Sequence, residues 1–414
     1  MDFIDYLKLT AGIDWSGNDK ISNSAAFCYY ENVQYSDKAM GLIMGNIENQ
    51  SIQWETTRRM NVGLDLHAFN NRLRLTGNFF HNVTNNLLTL KKLHPLVGLE
   101  YAWSNGGELQ NTGAYAAANV RVLNTKKWNW ELGASVGTYK NVVTELPDET
   151  IINKNWTKKD GELRGYTTEI YNGTIATVVG QPVGVFFGYE TDGVFTTTAE
   201  AYDAEKGDWR LKTQDMSTGV ETPLQAGDVK FVDQNGDGKI NLDDRVIIGN
   251  PNPDLYGNIN TNLSYKGLSL SATLNYSLGN DVYNYQRSLL ESGSSFYNQT
   301  IAVANRWKTE GQETDMPRAS YGDPKGNNRF SDRWIEDGSY LRLKDVTLSY
   351  KVPVSASWLQ GLTVWCAGTN LLTLSKYLGS DPEFSFSNNV LYQGIDNGLL
   401  GQGRSFHLGV KINL

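Results

Sequence analysis

Apolar and polar residues alternate with a period of two along several stretches of this chain. The longest clean run is LSLSATLNYSLG at 268–279, where Leu268, Leu270, Ala272, Leu274, Tyr276 and Leu278 interleave with Ser269, Ser271, Thr273, Asn275, Ser277 and Gly279. Such alternation marks a pleated strand, whose successive side chains point to opposite faces. The design recurs in WNWELGASVGT (128–138), RLRLTGNFF (72–80) and SFHLGVKINL (405–414). Strands in globular domains usually have about five or six residues, whereas a tilted strand crossing a membrane needs about ten. In YLRLKDVTLSYKVP, Leu341 and Leu343 hold one register, and Val346, Leu348, Tyr350 and Val352 hold the other. That slip predicts a β-bulge near Lys344 and Asp345.

Alternation does not say what the polar face meets. In a soluble sandwich it is the solvent side; in a membrane barrel it lines the lumen while the apolar face meets lipid. Connection lengths bear on the choice. Short turns at FNNR (69–72), NTKK (124–127), YKG (265–267) and LQG (359–361) are set against long irregular stretches, roughly 146–180, 195–256, 280–338 and 376–402. Outer-membrane barrels pair short periplasmic turns with long external loops, and compact soluble domains rarely hold several structureless connections longer than about fifteen residues. Trp15, Trp54, Trp128, Trp130 and Trp365 fall near predicted strand ends, as girdle residues do, although packing in a core or under a loop is an alternative. The expected fold is all-β. Residues 1–414 are read as part of one antiparallel transmembrane β-barrel with about a dozen long strands, and 195–256 and 280–338 as long external loops.

Composition supports strands over helices, since 22 Tyr, 11 Trp and 14 Phe accompany 41 Gly in 414 residues. A net charge of −8 without any basic block argues against nucleic acid as a partner. Cys28 and Cys366 lie far apart and outside any CxxC spacing, so neither a disulfide framework nor a zinc site is indicated, and one long-range bridge is left open. No run approaches eighteen apolar residues, which excludes a helical span but not a barrel. The opening MDFIDYLKLTAG has neither the basic nor the apolar region of a secretory signal. The chain is therefore expected to be an internal fragment or to take its export signal from elsewhere.

One stretch carries candidate metal chemistry. In DQNGDGKINLDD (233–244), Asp233, Asn235, Asp237, Lys239, Asn241 and Asp244 occupy the first, third, fifth, seventh, ninth and twelfth positions, with Gly238 at the sixth. This is the spacing that wraps oxygen ligands around Ca2+. A calcium sensor needs a helix on each side, but the flanks LQAGDVKFV and RVIIGNPNPDLYG read as strand and turn. Asp244 replaces the longer Glu that grips calcium with both oxygens, which weakens the site or admits water. A calcium staple within a larger β structure and an ion-free Asx-turn both remain open.

Catalysis finds little support. GASVG (133–137) matches the nucleophile-elbow pattern, yet Ser135 lies mid-strand instead of on the strand-to-helix turn the motif requires. His67, His81, His94 and His407 are scattered without metal-ligand spacing. The pairs Asp243 with Asp244 and Asp381 with Glu383 read as solvated loop acids. The aromatic segments SSFYNQ (294–299) and EFSFSNNVLYQG (383–394) suit stacking on sugars or holding peptides, and equally suit packing on each other at a barrel mouth. The protein is expected not to be an enzyme.

Five segments in order carry a resemblance: SIQWETTRRMNVGLDLHAFNNRLRLTGNFFHNVTNNLL (51–88), NGGELQNTG (105–113), GDVKFVDQNGDGKINLDDRVIIGNPNPDLYGNIN (227–260), RWIEDGSYLRLKDVTLSYKVP (333–353) and GTNLLTLSKYLGSDPE (368–383). They resemble the C-terminal barrel portion of SusC/RagA-type TonB-linked outer-membrane transporters of Bacteroidetes. The resemblance implies a multi-pass outer-membrane protein forming a barrel of about 22 strands. It implies closure by a SusD-like lipoprotein, import of glycans or peptides, and energy from the TonB–ExbB–ExbD complex acting on a plug domain. Signal peptide, TonB box and plug are expected to precede this region and are absent from the sequence. An open sheet leaves edge backbone groups unsatisfied in lipid, so the missing strands are expected from a preceding or companion polypeptide. Two other readings stand beside transport: a SusC-like barrel serving as a structural scaffold in an outer-membrane assembly, and a soluble calcium-stapled carbohydrate-binding or adhesin protein.

Overall fold

A computed structural model describes residues 3–21, 25–36, 39–99, 101–147, 150–156, 161–214, 218–354, 358–384, 387 and 389–413. Ten antiparallel strands form one sheet in chain order: β1 (Ile4–Asn18), β2 (Glu55–Ala68), β3 (Leu73–Asn85), β4 (Glu108–Asn124), β5 (Trp128–Glu145), β6 (Leu255–Tyr265), β7 (Leu268–Leu278), β8 (Tyr340–Val352), β9 (Gly361–Ser375) and β10 (Ser405–Asn413). They run from 9 to 18 residues. The count falls short of a dozen because two further hairpins, Tyr29–Ser36 with Ala39–Asn46 and Leu88–Lys92 with Tyr101–Asn105, pair only within themselves. The sheet is an open arc, since no described strand pairs with the outer edge of β1 or of β10.

Register sorts the two faces cleanly. Leu270 lies between Leu263 and Leu348, and Leu348 leads through Cys366 to Leu408. On the other side of the arc, Leu9 pairs with Leu64 and Val62 with Phe79. This apolar face is the outward one: Leu9 is 72% exposed and Leu408 81%. The opposite face carries Ser269, Ser271, Thr273 and Thr347 beside Asn258, Asn260 and Asn262. There Gly133 sits between Asn119 and Asn260, and a Cβ at that point would meet their amides at 2.5 and 2.4 Å. The three buried hydrophobic clusters among the described residues take no residue from these ten strands. A continuous exposed apolar face with no core behind it is the reverse of a soluble sandwich and the arrangement of a lipid-facing barrel wall. No described helix is long and apolar enough to cross a membrane.

Connections alternate strictly in length. Residues 69–72, 125–127, 266–267 and 353–360 join strands at one rim; 19–54, 86–107, 146–254, 279–339 and 376–404 join them at the other. In the first short turn, Asn70 and Asn71 both take φ 58°, a left-handed conformation that Asn tolerates better than most residues. The bulge falls where the register slip predicts it: Thr273 pairs with Asp345 and Leu274 with Leu343, leaving Lys344 between them. The extra residue absorbs one position of the two-residue repeat, so neither Lys344 nor Asp345 falls in the apolar register. Of the tryptophans, Trp15 and Trp54 are exposed near the long-loop rim and Trp128 lies tilted against Tyr265 at the short-turn rim, ring centres 4.2 Å apart. Trp365 departs from the girdle expectation. It pairs with Gly409 and Ser349 in the polar register, and its indole occupies the space a Cβ on Gly409 would need.

Lipid on the apolar face makes a paired prediction. Leu348→Lys should lower unfolding stability in lipid vesicles by about 2–4 kcal/mol, whereas the neighbouring Ser349→Lys should change it little. Denaturant titration with tryptophan fluorescence measures both, and equal effects would contradict the assignment of faces.

Candidate functional site: the cap on the long-loop rim

The long connections are not structureless. Between β5 and β6, the segments Thr150–Trp156, Gly161–Ile170, Gly173–Val178, Val185–Tyr189 and Arg245–Gly249 form a five-stranded sheet. Its two faces are both covered. Ala176, Val178, Val185 and Phe187 pack with Leu163 and Val246 in one cluster. Ile175 and Phe186 turn to the other face and join Ile170 in a second. That second cluster also takes Tyr283, Phe330 and Trp334 from the β7–β8 connection and Ile395 from the β9–β10 connection. Three separate connections thus share one buried core. A third cluster lies within 189–240 and includes Phe195, Leu224, Val229, Phe231 and Ile240. The region around the calcium-type loop, read from the sequence as a long irregular connection, therefore has a core of its own.

Polar interlocks reinforce the packing. Asp228 is fully buried and accepts hydrogen bonds from Arg318 Nε at 2.8 Å, Arg318 Nη2 at 2.9 Å and Asn327 Nδ2 at 3.0 Å. The Asn327 side chain in turn accepts from the Val229 amide at 2.8 Å. A carboxylate removed from water in this way is tolerated because a guanidinium grips both oxygens. At the barrel mouth, Arg342 of β8 is buried and pairs with Asp381, with its Nη1 3.2 Å from Glu383 Oε2. Lys344 Nζ lies 3.5 Å from the same oxygen and donates to Gln402 Oε1 at 2.7 Å. Asp381 and Glu383 are thus spent on holding the β9–β10 connection against the wall.

The calcium-type loop is a tight turn. Asp233 accepts from the amides of Gly236 and Gly238, both at 2.7 Å, and Asp237 accepts from the Lys239 amide at 2.8 Å. Asp244 accepts from the amides of Asn241 at 2.8 Å and Gln234 at 3.0 Å, while Asn241 Oδ1 accepts from Asp243 at 2.8 Å. Asn235 Oδ1 accepts from Asp237 at 3.0 Å. Gly236 and Gly238 take φ of 76° and 78°, conformations that favour glycine. Among the described residues, no three His, Cys, Asp or Glu side chains converge closely enough to hold a metal. Asp244 is fully buried. Burial, together with the charges of Asp233 and Asp237, pushes its carboxyl up to about 6 despite the two amides that favour ionisation.

The other candidates separate. Ser135 lies in β5, its Oγ accepting from the Asn258 amide at 3.2 Å, with no elbow around it. Of the aromatic segments, 294–299 is exposed: Phe296, 93% accessible, stacks on Tyr321 at 5.1 Å. Segment 383–394 instead contributes Leu391 and Tyr392 to the shared core, and its residues 385, 386 and 388 lie outside the described residues. Cys28 and Cys366 are both free and exposed.

The interlock makes a prediction. Arg318→Ala leaves Asp228 buried without its cation and should destabilise the cap by about 3–5 kcal/mol. Limited proteolysis should then cut within 195–256 and 280–338 while the ten strands stay resistant.

Comparison with known proteins bears on these features together. No family model matches the sequence. TonB-dependent receptor P26 of Formosa agariphila is 30% identical over 98% of this chain and 40% of its own length. TonB-dependent receptor P3 of the same organism is 29% identical over 98% and 39%. TonB-dependent receptor SusC of Bacteroides thetaiotaomicron is 26% identical over 98% and 37%. Among solved structures, the RagAB peptide transporter superposes with a TM-score of 0.76 at 23% identity, covering 100% of this chain and 41% of that one. The chain spans about two fifths of the length of the curated relatives it matches. The resemblance carried by the five ordered segments is borne out, and the fold is that of the corresponding transporter barrel region.

Proposed function

We propose that this chain, related over nearly all its length to TonB-dependent receptors, forms the later barrel wall of an outer-membrane importer of glycans or peptides. The carrying observation is the ten-strand arc with its apolar face outward and its Asn-, Ser- and Thr-rich face inward, which supplies a polar path through an apolar layer. The rest of the barrel, and the plug through which TonB acts, come in this reading from a preceding or companion polypeptide, the matched relatives being longer than the two fifths this chain covers. A SusD-like lipoprotein is the partner expected at the long-loop rim, where the exposed stack of Phe296 on Tyr321 offers an aromatic platform for sugar or peptide. Nothing in this arrangement calls for bond-making chemistry. Outer-membrane fractionation followed by affinity capture and mass spectrometry tests the reading. Plug peptides and a lipoprotein should be recovered with this sequence, and uptake of labelled oligosaccharide or peptide should fall when it is deleted. Stable protein partners without any uptake would favour a scaffold, and recovery in the aqueous phase would sink the membrane role.

We propose in addition that the turn at 233–244 takes Ca2+ through Asp233, Asn235, Asp237, the Lys239 backbone, Asn241 and Asp244, the ion drawing together carboxylates that stand apart in the ion-free turn. Their spacing supports this, as does a buried Asp244 facing two like charges, which a divalent cation would relieve. The ion would supply cross-linking charge and no catalysis. Protonation opposes it: the Asp244 carboxyl titrates near 6 against an ordinary 3.8. The ion-free turn should therefore gain stability as pH falls from about 6 to 4, whereas calcium affinity should weaken over the same range. Protease protection of the turn by millimolar calcium is expected at pH 7.5, reduced at pH 5 and absent in Asp237→Ala. Protection unaffected by calcium at either pH would leave only an Asx-turn.

A further inference from the structure

The short-turn rim carries charge that transport does not use. Its turns, with the last but one residue of β8, hold Arg72, Lys126, Lys127, Lys266 and Lys351 and no acidic residue, in a chain of net charge −8. All five are exposed, and among the described residues no carboxylate pairs with any of them. Neighbouring turns are stitched together, the Lys266 amide donating to Lys127 O at 2.9 Å and the Lys351 amide to Gly267 O at 2.8 Å. The cationic turns therefore form a row along the rim.

Within that row lies an open cavity of about 600 Å³, bounded by Tyr265, Lys266, Leu268, Tyr350, Lys351 and, from the last turn and its flanks, Pro353 and Gln360. Its lining combines two chemistries. Leu268 and Tyr350 belong to the outward apolar face and are exposed, while Lys266 and Lys351 bring unpaired ammonium groups. Lys266 Nζ stands 5.3 Å from the centre of the Tyr265 ring, whose other contact is the Trp128 indole. The cavity thus sits where the apolar band ends and the positive row begins.

We propose that this cavity seats the anionic headgroup of a membrane phospholipid, with its phosphate between Lys266 and Lys351 and its acyl chains running along Leu268, Leu270 and Leu348. An acidic protein would answer the lysines but would leave the adjoining apolar face without a partner. A phospholipid answers both, since its charge and its chains are joined at the depth where these residues meet. The charge complementarity and the continuity with the apolar band select it. The assignment rests on the membrane reading given above.

The test uses membrane discs cut with an amphiphilic polymer from cells that make the protein, so that whatever completes its barrel is retained. Flotation of the discs first establishes membrane integration. Exchange with vesicles of phosphatidylglycerol or phosphatidylcholine, read by native mass spectrometry, then gives the lipid preference. The unaltered protein should retain phosphatidylglycerol preferentially, and Lys266→Gln with Lys351→Gln should reduce that preference roughly thirtyfold. Lys206→Gln with Lys308→Gln, two exposed lysines of the cap, should leave it unchanged. Equal retention by the rim variant and the unaltered protein would overturn the lipid site while leaving the membrane role intact. Displacement of the lipid by inorganic phosphate at about 10 mM, well below physiological ionic strength, would overturn it in favour of a free-phosphate pocket. Failure to float would remove both readings together.

Discussion

Backbone hydrogen bonding in a medium that offers no water is the constraint on which this architecture depends. Every amide and carbonyl in the ten-stranded wall must find its partner on a neighbouring strand, because an unpaired group in hydrocarbon costs several kcal/mol. Long, regular ladders follow, as does strict order of neighbours along the sheet. Side chains then have little to contribute to cohesion of the wall. The outward ones only need to be apolar, and the inward ones to be small or hydrated. Among the register shifts of the wall, the one at Lys344 keeps two adjacent charged residues out of the apolar register.

Beyond the rim the solvent changes and so does the rule. In water, apolar side chains cohere by leaving it, and all three buried hydrophobic clusters found among the described residues lie in the cap. The molecule joins two kinds of structure end to end: a wall held by backbone pairing, and a cap held by packing. Arg342 and Lys344 sit at the seam, rooted in a wall strand and gripping the acidic pair of a cap segment. The charges are satisfied there by each other.

The wall was legible in the sequence because one face of each strand is apolar and the other is not, which leaves the period of two visible. The bulge was legible for the same reason. The cap was not. VFFGY (185–189) and GTIATV (173–178) are buried on both faces, so they show no alternation; the second blends into the stretch 146–180 read as irregular, and the first, between two such stretches, carries no strand signal of its own. Ile170, Tyr283 and Ile395 meet in one core although each belongs to a different connection, and no local pattern announces such a meeting. Asp228 looks like any loop acid; only Arg318, 90 residues away, reveals its role. Trp365 shows the converse error, where nearness to a strand end was a weaker guide than parity along the strand. The turn at 233–244 was visible as a spacing of oxygens, while the core beneath it was not.

The core shared by three connections has a consequence for how such a protein changes over generations. A substitution at Phe186, Trp334 or Ile395 is felt by segments encoded far from it, so the three connections must drift in concert, each alteration limiting which others are viable. Grafting one of them from a relative would bring in a shape fitted to foreign neighbours. Novelty is instead channelled to stretches outside that shared core, such as the aromatic segment at 294–299, where Phe296 and Tyr297 are exposed and Phe296 stacks on Tyr321 alone among the rings. There selection is free to try new residues without asking permission of the rest of the cap.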